Sequence, residues 1–138
     1  MSKFVPLLDR GVIKVSGPDA AEFLQGLVTN NLDKTNQGGA VLSALLTPQG
    51  KIQYEFFIVP VAEDGYLLEM ARGGLKELFG KLSLYKLRAD VEIEDLSESH
   101  MVFWLDDLKQ QSELEEFANE RGAESMFRDP RADELGLR

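Results

Sequence analysis

The segment Gln49–Phe57 (QGKIQYEFF) carries the residues best suited to chemistry. Gly50 lets the backbone turn tightly. Tyr54 can stack on a flat ring, and Glu55 can accept from amino or ring N–H groups. Strand alternation predicts the two on opposite faces, so one pocket does not easily use both. A strand with one buried and one exposed face accounts for the same residues without a ligand. Gln25, Thr29 and Asn30 form a second group, on the polar side and end of an expected helix. Their amide and hydroxyl groups can hydrogen-bond a heteroaromatic ligand, and capping or loop ordering would use the same atoms. Arg128 and Arg131, with Arg138 beyond, are spaced to grip carboxylates bidentately, or form a charged tail. Met101, Phe103 and Trp104 read as strand core, and Asp106-Asp107 as surface carboxylates in a loop.

The chain has no cysteine, which excludes disulfides, thiolate nucleophiles and Cys-ligated metals within these residues. Its single histidine, His100, lies in the apolar run HMVFWL and reads as a strand-edge residue. There is no phosphate loop, dinucleotide fingerprint, zinc-protease helix or calcium loop. The usual nucleophile–base pairs are absent. No catalytic residue and no metal site is assigned.

These residues must be positioned by the elements around them. Gly11–Ser16 alternates as a half-buried strand. Ser16-Gly17-Pro18 starts a helix, with Asp19 and Glu22 near its positive end. Ala20, Phe23, Leu24, Leu27 and Val28 make one apolar face, and Thr29-Asn30-Asn31 ends the helix. Ala40–Leu46 and Ile52–Val59 are strands joined by the turn Thr47-Pro48-Gln49-Gly50. Gly65–Ala71 is a third strand, which Gly73-Gly74 breaks before an amphipathic helix through Leu75, Leu78, Phe79, Leu82 and Tyr85. Val91–Asp95 and Met101–Leu105 are strands, and Ser112 with Glu115 caps a third helix that Gly122 ends. Ala123–Phe127 is a last short strand. The order predicts an α+β fold, a mostly antiparallel sheet with helices on one side in ferredoxin-like units. We expect one domain over 1–127 and a loop-like tail over 128–138.

The 138 residues suffice for one domain with a real core, and 43% apolar with 28% charged residues suits a soluble globular protein. No apolar run approaches the ~20 residues that cross a bilayer. The opening MSKFVPLLDR has neither a secretory h-region nor Arg-rich transit character, so the expected location is the cytoplasm. The net charge of −9 is uneven. Residues 1–90 balance at ten Lys/Arg and ten Asp/Glu, whereas 91–138 hold five and 14. An acidic chain disfavours nucleic acid; the acidic half can dock a basic partner or simply stay solvated.

The stretch GVIKVSGPDAAEFLQGLVTNNL, followed by ALLTPQGK and later by RDPRADELGLR, resembles the YgfZ/IBA57 family of folate-binding proteins. That family is related to the aminomethyltransferase T-protein of the glycine cleavage system. The resemblance implies the N-terminal part of the T-protein fold, tetrahydrofolate as ligand, and iron–sulfur client or assembly proteins as partners. By the same resemblance, Gln25, Thr29, Asn30, Tyr54, Glu55, Arg128 and Arg131 are the expected folate contacts. The family's K-G-C-[YF]-x-G-Q-E motif is absent, so the chain is expected to be an N-terminal fragment. In aminomethyltransferases a G-G-x-x-D-D hairpin carries the folate-handling aspartate. That position falls on Tyr54 here, with Glu55 next. A phenol does not replace an ionised carboxylate near neutral pH. The resemblance therefore favours a cluster-assembly accessory protein over a one-carbon transferase, with a scaffold half lacking its own site as a third reading.

Overall fold

A computed structural model describes residues 4–35, 39–61, 65–100 and 102–105. The elements run β1 (Phe4–Pro6), β2 (Arg10–Ser16), α1 (Ala20–Gln25), a 3-10 turn (Leu32–Thr35), β3 (Val41–Leu46) and β4 (Ile52–Val61). They continue with β5 (Gly65–Ala71), α2 (Arg72–Tyr85), β6 (Glu92–Asp95) and β7 (Phe103–Leu105). The third helix and the last strand expected between 112 and 127 lie outside the described residues, as do Met101, Asp106-Asp107 and the 128–138 tail.

Five strands form one sheet in the order β3-β4-β5-β2-β6, and every neighbouring pair is antiparallel. β1 and β7 pair separately. The order strand, helix, strands, helix, strand is that of a ferredoxin-like unit with one extra strand. The α+β expectation holds.

Alternation divides the sheet into two faces. One face presents Ile13, Val15, Tyr54, Phe56, Ile58, Leu68 and Met70 to the helices. Against it pack Ala20 and Leu24 of α1, and Leu75, Leu78 and Leu82 of α2, all buried. Burying each such leucine contributes about 2 kcal/mol. The other face holds Val12, Phe57, Val59 and Leu67, partly roofed by Val102, Leu7 and Leu96.

Two helix boundaries differ from the sequence reading. α1 stops at Gln25, earlier than the apolar spacing suggests, because Val28 leaves to bridge Leu45 of β3. Gly73 and Gly74, expected to break the chain, lie in the first turn of α2. A Cβ on Gly74 would sit 3.3 Å from Cδ1 of Tyr54, so the missing side chain admits the tyrosine ring.

The start of α1 is tied to the connection before β6. Asp19 does not cap its own helix; its carboxylate accepts from the Asp90 N–H at 2.8 Å, and the Asp19 N–H donates to the Asp90 carbonyl at 3.3 Å. Gly17 precedes this contact with φ +121°, and a Cβ there would lie 2.5 Å from the Asp90 oxygen. Both the backbone angle and the space require glycine. We predict that Gly17→Ala lowers stability by about 2–3 kcal/mol in urea unfolding.

Candidate functional site

The end of α1 lies against the free edge of β3. The Gln25 amide spans the loop, donating through Nε2 to the Asn30 carbonyl at 2.9 Å and accepting the Leu32 N–H on Oε1 at 2.7 Å. Thr29 acts as an extra strand residue: its N–H donates to the Ala44 carbonyl at 3.0 Å, and its Oγ1 accepts the Ala44 N–H at 3.1 Å. Asn30 donates through Nδ2 to the Leu42 carbonyl at 2.9 Å and accepts the Asn31 N–H on Oδ1 at 2.8 Å. Its own N–H reaches Ser43 Oγ at 3.0 Å. The structure thus brings Gln25, Thr29 and Asn30 together, with their polar groups engaged by backbone. An exposed edge strand is a pairing hazard, and these side chains occupy it.

Tyr54 and Glu55 follow Gly50, whose φ of +87° makes the hairpin turn. Tyr54 is buried on the helix face, its ring against Gly74. Its hydroxyl donates to the Glu77 carboxylate on α2, and Lys81 Nζ lies 5.8 Å from the ring centroid. Burial, then the hydrogen bond and charge of Glu77, push the phenol from 10.0 up to about 12. Tyr54 is a neutral donor joining β4 to α2. Glu77 was not picked out by the sequence reading, although it lies five residues from the start of the helix that receives Tyr54.

Glu55 points to the other side, exposed and paired with Ala44 of β3. That face, covered where Phe57 and Val59 are buried, also carries an ion pair. Glu69 of β5, buried, binds Arg10 Nε of β2, while Arg10 Nη2 donates to the Glu69 carbonyl at 3.3 Å. Glu69 is registered between Phe57 and Val12, and Ala71 beyond it pairs with Arg10. Strand spacing sets Glu55 and Arg10 roughly 10 Å apart on one surface. The sequence signal for this pair is the lone acid inside GYLLEMA, since a buried charge in an apolar strand needs a partner. Arg128 and Arg131 lie outside the described residues. His100 Nδ1 lies 2.8 Å from Ser99 Oγ. Among the described residues no three His, Cys, Asp or Glu gather into a metal-holding group.

Comparison with known proteins places this geometry. The family model described as the GCVT N-terminal domain matches residues 8–119. The chain belongs to that family. A relative named mitochondrial iron–sulfur cluster assembly factor IBA57 homolog, from Pyricularia oryzae, is 36% identical over 140 residues, covering 98% of this chain and 34% of that protein. The IBA57 factor of Mus musculus is also 36% identical, over 94% of this chain and 40% of its own length. The resemblance to the YgfZ/IBA57 family stands with them. The GCVT-type chain spans about a third to two fifths of the curated relatives it matches. A solved glycine cleavage aminomethyltransferase T from Bartonella henselae superposes with a TM-score of 0.76 at 17% identity, covering 99% of this chain and 40% of that one. It shares the fold.

The relatives also correct the cytoplasmic expectation: they are named mitochondrial, which points to the mitochondrion. That expectation rested on the makeup of the first ten residues. A sequence covering a third of its relatives' length carries no information about a leader.

Two outcomes separate structural from ligand roles in this GCVT-type domain. Gln25→Ala lowers stability by about 1–2 kcal/mol in chemical unfolding, because it leaves backbone partners unmet. The raised phenol of Tyr54 favours the folded state below pH 10, and that contribution is lost as pH rises from about 10 through about 12. Thermal midpoints of the wild type should therefore fall more steeply over this window than those of Tyr54→Phe.

Proposed function

We propose that this chain is the folate-binding part of an iron–sulfur cluster assembly factor. The observation that carries this reading is the identity with IBA57 factors, 36% across nearly the whole chain for the Pyricularia oryzae relative. The partners are then iron–sulfur assembly or client proteins, and the ligand is tetrahydrofolate. The exposed end of the sheet face, around Glu55 and Ala71, supports the ligand. Glu55 offers an ionised acceptor for amino and ring N–H groups, and Arg10 offers a guanidinium whose five N–H groups exceed those it spends on Glu69. Between their strands Ala71 is small and exposed, leaving room for a flat ring. This donor set fits the polar edge of a pterin. Tyr54 contributes from the other side of the sheet, by fixing β4 on α2.

Tetrahydrofolate titrated into the chain should bind, and Glu55→Gln should weaken binding about tenfold or more, the value of a charged hydrogen bond. Equal affinities would remove Glu55 from the pocket, and no binding by the wild type would remove the ligand. Depleting the full-length protein should lower cluster occupancy in mitochondrial iron–sulfur enzymes. A one-carbon transferase is favoured by one observation only, the exposure of the Glu55 carboxylate. Aminomethyl transfer that disappears in Glu55→Gln would support it.

A further inference from the structure

The far end of α2 does something the fold does not need. Leu84, Tyr85 and Leu87 are 72%, 48% and 86% exposed, three large apolar side chains within four residues. Leu87 also has φ +35°, the left-handed position after a helix where glycine is preferred. A glycine there would relieve the backbone and hide nothing. Leucine at that position is both strained and solvated, so no packing within the described residues explains it.

The charge around this tip is opposite to that of the chain. Residues 81–90 hold three Lys or Arg against one acid, in a chain of net charge −9. Lys86 and Arg88 flank Leu87, and Arg88 is exposed. Neither has an ion-pair partner among the described residues. We propose that the tip formed by Leu84, Tyr85, Lys86, Leu87 and Arg88 docks an acidic, amphipathic segment of a partner protein. The apolar side chains supply the buried centre of the contact, and the two cations supply the polar rim. Steering acts only within a Debye length, about 8 Å at physiological salt, so the acidic remainder of the chain does not cancel it. An anionic membrane is a poorer occupant. A flat surface touching the tip also meets the exposed Asp90, two residues beyond Arg88. A narrow protein segment does not. The proposal does not depend on folate, because α2 and Glu55 lie on opposite sides of the sheet.

The test uses the 138-residue chain with a synthetic 18-residue Leu/Glu amphipathic helix, its Leu/Lys counterpart, and vesicles containing anionic lipid. The Leu/Glu peptide should perturb amide resonances of residues 84–88, and raising salt should weaken it. Leu87→Gly and Arg88→Glu should each weaken it at least tenfold. The thermal midpoint of Leu87→Gly should stay unchanged or rise, which separates lost docking from lost folding. Equal binding by the variants, equal or tighter binding of the Leu/Lys peptide, or no binding of the Leu/Glu peptide would each overturn the proposal. So would vesicle binding that exceeds peptide binding.

Discussion

Tyr54 and Glu55 are covalent neighbours that a strand forces to opposite sides of the sheet. Most of the molecule is organised by that separation. On the Tyr54 side, the ring, Phe56 and Ile58 join the buried faces of both helices, and the phenol reaches Glu77 so that its hydroxyl is not stranded. On the Glu55 side the sheet keeps charge: an exposed carboxylate and a buried carboxylate held by Arg10. A shift of β4 by one residue would exchange these environments, burying an unpaired acid among leucines and exposing the phenol. The cost of that exchange holds the register, and with it the position of the only exposed β4 acid.

The free edge of β3 poses a different problem, and the chain meets it with side chains that imitate backbone. Thr29 Oγ1 takes an N–H that a neighbouring strand would take, and Asn30 supplies the N–H that such a strand would give. Gln25 closes the loop that carries them. Polar residues gathered at a helix end thus have a structural explanation at atomic detail. A ligand there would have to compete with backbone groups already satisfied.

Much of this was legible in the sequence. Period-two alternation located β2, apolar runs bounded by turn residues located β3 to β5, and leucines at helical spacing located α2. The separation of Tyr54 from Glu55 followed from alternation alone. Other features are tertiary and leave no local mark. Gly73-Gly74 has the composition of a break, yet it opens a helix, and Tyr54, twenty residues away, approaches Gly74 so closely that a Cβ there would have to push the ring aside by a few tenths of an ångström. Asp19 has the sequence of a cap, yet Asp90 claims its carboxylate. Leu27 and Val28 continue a helical pattern, and pairing with Leu45 overrides it. Glu69 is an acid in an apolar strand, a signal the sequence reading passed over, and only the antiparallel register with β2 brings Arg10 within reach. Location was not legible at all, since an address resides in segments that fold physics does not constrain.

The same division into sides governs what a partner could reach. Helix α2 covers the face that holds Tyr54, so its outer surface and its C-terminal tip look away from Glu55 and Arg10. The contact between the two sides runs mostly through packed strands. A change at the tip therefore alters no group on the open face, and a change at Glu55 removes no contact from the helix. Tyr54 is one exception, because its ring rests on the first turn of α2 while its backbone is bonded to Glu55. Arg72 is another, because its Nε donates to the Arg10 carbonyl at 2.8 Å. Coupling between a ligand on the Glu55 face and a protein on the helix side would have to pass through these residues, as a tilt of β4 or β2 against α2.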